Sequence, residues 1–158
     1  MAKPVPDGYH AVTPSLMLKD SKKAIEFYQK AFAAEVLDVF PNPGGKGTMH
    51  AVIRIGDSIL MMGDEMPGVG SPSAETLGDS PISLYVYVKD VDAVFDQAVA
   101  AGGTVVMPVA EMFWGDRAGT IKDPFGYQWM IGTHTKDLSR EEVQKGAKAF
   151  FTKAENKQ

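Results

Sequence analysis

The sequence predicts an α+β fold in which one strand–helix–three-strand unit is used twice, with a helix at the C-terminus. Three observations carry that expectation. Asp123-Pro124-Phe125-Gly126 reads as a turn between strand-like runs at Gly119 to Lys122 and Tyr127 to Thr133, because proline fixes φ and glycine accepts a positive φ. His50 to Ile55 passes through Gly56 into Asp57 to Met62, another strand, glycine turn and strand. Gly56 and Gly126 lie 70 positions apart, Lys19-Asp20 and Lys89-Asp90 share that offset, and Val36-Leu37 precedes Val105-Val106 by 69. A recurring internal offset is the mark of a duplicated unit.

The elements follow in order. Met1 to Tyr9 is a proline-rich lead-in. Ala11 to Leu18 reads as a strand, with Pro14 pointing to an edge or strand start. Asp20 or Ser21 caps a helix to about Ala33, whose Ala24, Ile25, Tyr28 and Phe32 form one apolar stripe. Glu35 to Phe40, Thr48 to Ile55 and Ser58 to Met62 complete the first repeat, about residues 11–65. Residues 66–80, rich in Gly, Pro and Ser, read as a linker. The second repeat, about residues 81–135, has a strand at Ile82 to Val88, a helix from Val91 to Ala101 stopped by Gly102-Gly103, and a strand at Thr104 to Pro108. It closes with the hairpin around Gly126. Ser139 and Glu142 form a capping box for a final helix at about residues 139–155, read as a packing helix.

Composition narrows the function. The chain has 158 residues, 44% apolar and 23% charged, and a net charge of -4, so it fits a single domain without a basic footprint for nucleic acid or an anionic membrane. It has no cysteine, which excludes disulfides and thiolate chemistry. No long apolar run or apolar leader occurs, and a cytoplasmic location is the expectation.

Several motifs, in order, resemble the vicinal oxygen chelate superfamily (glyoxalase, bleomycin-resistance and dioxygenase proteins), and within it the PhnB-like branch. They are Ala24-Ile25-Glu26-Phe27-Tyr28, Ile55-Gly56-Asp57-Ser58-Ile59-Leu60-Met61, Met112-Phe113-Trp114-Gly115-Asp116-Arg117, Asp123-Pro124-Phe125-Gly126, and Thr133-His134 with Asp137-Leu138-Ser139. The resemblance implies that the two βαβββ repeats form a curved mixed-sheet cup, with helices on the convex face and a small molecule inside. It also implies a homodimer, since relatives of this type pair about a two-fold axis.

Strand alternation assigns the cup side chains. It predicts Thr13, Ser15 and Met17 from the first strand, His50, Val52 and Arg54 from the third, and Leu60 and Met62 from the fourth. In the second repeat it predicts Ser83, Tyr85 and Tyr87, then Gln128 and Met130. Metal-dependent relatives place His, Gln or Glu at four positions that the resemblance maps onto Thr13, Leu60, Ser83 and Met130. None of these suits a hard or borderline divalent ion, so neither a metal nor another cofactor is expected.

Trp114 offers a flat wall and Arg117 a fork for an anionic group, unless Asp116 and Arg117 pair with loops or the partner subunit and Trp114 fills the core. His50 and Glu111 are the weak catalytic candidates, while His134 reads as structural. The expected ligand-binding set is therefore Thr13, His50, Arg54, Leu60, Met62, Ser83, Tyr85, Trp114, Arg117 and Met130. The function that follows is binding of a small, partly apolar molecule without a metal. The alternatives are a metal-dependent lyase or dioxygenase with a non-standard site, and an accessory protein acting through partners.

Overall fold

The computed structural model describes residues 2–155. Each repeat has the expected order of elements, but the first strand begins at Ser15 rather than Ala11, which leaves Thr13 before it, and the strand from Thr104 runs on to Glu111. β1 (Ser15–Leu18), α1 (Ser21–Phe32), β2 (Glu35–Pro41), β3 (Thr48–Ile55) and β4 (Ser58–Asp64) form the first repeat. A single-turn helix, α2 (Ala74–Leu77), interrupts the predicted linker. β5 (Ser83–Tyr87), α3 (Val91–Ala100), β6 (Thr104–Glu111), β7 (Asp116–Lys122) and β8 (Gln128–His134) form the second, and α4 (Arg140–Glu155) follows. The strand orders are β1-β4-β3-β2 and β5-β8-β7-β6, with β1–β4 and β5–β8 parallel and the other pairs antiparallel.

The helix starts are set by short polar side chains. Asp20 accepts from the Lys23 amide and Asp90 from the Ala93 amide, each supplying an acceptor that a first helical turn lacks. The sheets add a second tie. Asp64 on β4 accepts from the Ser21 amide, and Thr133 on β8 accepts from the Val91 amide, at matching points of the two repeats. α2 owes its place to Glu65, whose carboxylate accepts from the Ser73 amide and the Thr76 hydroxyl, both at 2.6 Å.

One core serves both repeats. Leu16, Leu18, Ala51 and Ile53 of the first sheet share it with Ile121, Trp129 and Ile131 of the second, joined by α1 and α3. Phe32 on α1 lies 4.7 Å from Trp129 on β8, between ring centres, and Phe27 lies 6.1 Å from Phe125. Gln97 on α3 donates to the carbonyls of Lys30 and Ala31, two free acceptors at the end of α1.

The register of β4 corrects one sequence expectation. Leu16 pairs with Met62, Ala51 with Met62, and Ile53 with Leu60, which puts Leu60 and Met62 on the helix-covered face of the sheet. Met62 is 1% exposed, and both belong to the core. Ile59 and Met61 take the open face instead. The cause lies in the turn. Four residues, 55–58, separate the paired Arg54 and Ile59, whereas five, 123–127, separate the paired Lys122 and Gln128. Pairing Gly56 with Gly126 therefore slips β4 by one residue, and a one-residue slip exchanges the two faces of a strand.

α4 packs on the domain lightly, with Gly146 close against Phe113. Its capping box forms, with Glu142 accepting from the Ser139 amide and Ser139 accepting from the Glu142 amide. It buries no residue, and Phe150 and Phe151 meet the domain through Phe113.

Candidate functional site

The open face of the second sheet carries a polar cluster centred on Asp116, at the start of β7. Oδ2 accepts from the Tyr85 hydroxyl at 2.7 Å, the Tyr87 hydroxyl at 3.0 Å and the Trp114 indole at 3.0 Å. Oδ1 lies 2.7 Å from Nδ1 of His134. Asp116 is 1% exposed. Burial alone would raise its carboxyl, but the donors from Tyr85, His134, Tyr87 and Trp114 hold it below the ordinary carboxylate range. Three of these donors converge on Oδ2 and one reaches Oδ1. Asp116 organises the site from a buried position rather than facing a ligand.

The residues around it are placed by strand geometry. Tyr85 and Tyr87 alternate on edge strand β5, so both rings stand on the same face, 4.7 Å apart and stacked. Tyr85 leans across β8, where a Cβ on Gly132 would sit 2.6 Å from its hydroxyl oxygen; only glycine leaves that space. Burial, then the bond to Asp116, pushes the Tyr85 phenol well above its ordinary value. His134 ends β8 and reaches Asp137 through Nε2 at 2.9 Å. Its bonds to Asp137 and then Asp116 raise it above the ordinary histidine value.

Beside this cluster is a cleft of about 890 Å³ between the end of α1, the β3–β4 hairpin, β5 and α3. Phe32, Ile59, Leu84, Val86 and Trp129 give it apolar walls; Thr13, Asp57, Lys89 and Gln97 supply polar groups. Because β5 is a sheet edge, residues from both of its faces line the cleft, Tyr85 and Tyr87 included.

The residues expected to share one hollow are divided. Thr13, Leu60 and Tyr85 line the cleft, Leu60 from its helix-covered side. Met62 is sealed in the core and cannot touch a ligand. Ser83, Met130 and Trp114 lie on or beside the open face of the second sheet, where Ser83 pairs with Gln128 and Tyr85 with Met130. His50 and Arg54 lie on the first sheet: His50 stacks beside Phe40, and Arg54 is paired with Glu35. Arg117 is no ligand fork. Its guanidinium makes a two-pronged contact with Asp92 at 2.7 and 2.8 Å, with Glu111 3.6 Å away. That pairing also occupies Glu111 on the second sheet, so the two catalytic candidates, His50 and Glu111, are not assembled into one site. Strand alternation places Tyr87 on this face and His134 reads as structural, but the sequence does not show that Asp116 joins them to Tyr85 and Trp114.

The corrected register moves one metal position as well. Met61 pairs with Ser15 and Met130 with Tyr85, so Met61, not Leu60, is the counterpart of Met130. The four positions then hold Thr13, Met61, Ser83 and Met130, two hydroxyls and two thioethers. Thr13 already donates to the His10 carbonyl. This donor set does not fit the divalent ion of the metal-dependent relatives. Among the described residues no group of three His, Asp or Glu side chains is placed to hold a metal ion.

Two βαβββ units joined through their helices define a protein of the glyoxalase class. The family described as the Glyoxalase/Bleomycin resistance protein/Dioxygenase superfamily matches residues 10–131, and the chain belongs to that superfamily. It is 39% identical over 137 residues to Mb0911c of Mycobacterium bovis, an uncharacterized protein, covering 85% of this chain and 90% of that one. The crystal structure of TioX from Micromonospora sp. ML1 is 26% identical with a TM-score of 0.62, covering 79% of this chain and 98% of that chain. A PhnB protein from Bacillus cereus, 20% identical, shares the fold with a TM-score of 0.62 over 78% of this chain and 99% of that one.

Proposed function

We propose that the protein binds a small, partly apolar molecule in the cleft beside β5, without a metal. The observation that supports this reading most is the cleft itself, about 890 Å³ with Phe32 and Trp129 among its walls. That size suits a drug-sized ligand, and apolar walls with a few polar groups are what such sites present. Thr13, Gln97 and Lys89 would orient the ligand, while Ile59, Leu84 and Val86 would exclude water from it. The hydroxyl and thioether set at the metal positions supports the metal-free part.

The reading includes a homodimer in the cytoplasm. Phe40, Val39 and Met49 on the first sheet and Val105 and Val106 on the second are exposed. Both sheets also end in unpaired edge strands, and a second copy would cover such surfaces. A monomeric mass in light scattering would remove that part.

Trp129 makes the test direct. Titration of a small-molecule library should give a saturable change in tryptophan fluorescence for at least one compound. Leu84→Phe, which narrows the cleft without adding a tryptophan, should weaken that response. No saturable binder in the library would overturn the proposal.

A further inference from the structure

We infer that the ligand carries a flat cation, recognised by the stacked rings of Tyr85 and Tyr87. The inference rests on the cleft being a small-molecule site and adds the chemistry of what fills it.

The two phenols are tethered at their hydroxyl ends and open at their rings. Both donate to the same buried oxygen of Asp116, yet Tyr85 is 40% and Tyr87 64% exposed. The tethers hold the rings on the sheet, so little side-chain freedom remains to be lost on binding. Both residues also line the cleft where β5 forms its edge, so the rings stand beside it. A ring face carries the negative side of the aromatic quadrupole and attracts a cation placed over it. A phenol that donates to a carboxylate is more electron-rich still, which strengthens that attraction.

The surrounding charges act in the same direction. Asp116 and Asp137 are both in contact with His134, two carboxylates for one imidazolium. The cluster therefore keeps a net negative charge when His134 is protonated and gains another when it is not. In the cleft, Asp57 and Lys89 carry opposite signs and largely cancel at a distance. Arg117 is turned toward Asp92 and Glu111 and is neutralised by them. A cation over Tyr87 meets attraction from the rings and the carboxylates together, whereas an anion of the same shape is repelled.

Three probes of similar shape test this: N-methylquinolinium as the cation, quinoline at pH 7.5 as the neutral ring, and 2-naphthoate as the anion. Calorimetric titration of the full chain should show N-methylquinolinium binding about tenfold tighter than either of the others. Tyr87→Leu changes an exposed side chain and should erase that preference, while Tyr87→Phe, which keeps the ring, should retain most of it. Equal binding of cation and quinoline, or a preference that survives Tyr87→Leu, overturns the cation inference and leaves the cleft reading standing. Failure of all three probes to bind overturns both.

Discussion

Tyr28 on α1 donates its hydroxyl to Asp123 in the β7–β8 turn at 2.7 Å, across 95 positions of sequence and from one repeat to the other. The same carboxylate accepts from the Trp129 indole and the amides of Phe125 and Tyr127, each at 2.9 Å. Burial raises the Asp123 carboxyl above its ordinary value, against these donors, so each donor matters to a charge held away from water. Tyr28→Phe removes one and should lower stability by about 1–3 kcal/mol. The check is the urea midpoint, and an unchanged midpoint would refute the role of this bond.

The register of β4 makes a contrast between neighbours. Met62 is fully buried between β1, β3 and α1, whereas Met61 is on the open face. Met62→Ala should cost about 2–5 kcal/mol, and Met61→Ala less than about 1 kcal/mol. Denaturant curves of the two variants decide it; the reverse order would restore the face assignment read from the sequence.

His134 should titrate high. Both ring nitrogens contact carboxylate oxygens, and both contacts are hydrogen bonds only when the ring carries both protons. Asp137, then Asp116, raise it above the ordinary 6.5. The folded ring thus holds its proton more tightly than the unfolded one. Its contribution to stability is complete below about pH 6.5 and is lost as pH rises through the folded value. An NMR titration should place His134 above 6.5, and Asp137→Asn should bring it down. A value at or below 6.5 in the unmodified protein contradicts the bridge.

Gly132 sets the position of Tyr85. A methyl group there would meet the Tyr85 ring at 2.9 Å and its hydroxyl oxygen at 2.6 Å, so Gly132→Ala must push the ring aside or shift β8. The expected result is a loss of about 1–3 kcal/mol together with weaker ligand binding. A variant with unchanged stability and unchanged binding would show that the ring is free to move.

Much of the fold could be read from the sequence because its signals are local. Asp20 and Asp90 announce the helices, and the apolar stripe of α1 and the Asp123 to Gly126 turn sit within a few residues of what they determine. What could not be read depends on distant pairing. The offset between repeats is 70 at Leu16 and Val86, but 69 at Met62 and Ile131 and 68 at Ala51 and Gly119, as the strand pairs show. A single offset cannot follow those changes in loop length. The Asp116 cluster was hidden for a related reason. Tyr85, Tyr87, Trp114 and His134 come from β5, a loop and β8, and only the closed sheet brings their donors to one carboxylate. Tyr85 and Trp114 could be singled out as aromatic walls, but nothing in their spacing shows that Asp116 holds both.

Because α1 belongs to one repeat yet covers Trp129 of the other, neither half has a finished interior of its own. A nick between Pro67 and Pro72 should therefore give two pieces that are each poorly folded alone but reassemble on mixing, like a split reporter. The ancestral single unit would have needed a sibling copy to do the same work, and fusion turned that meeting of two molecules into an event within one.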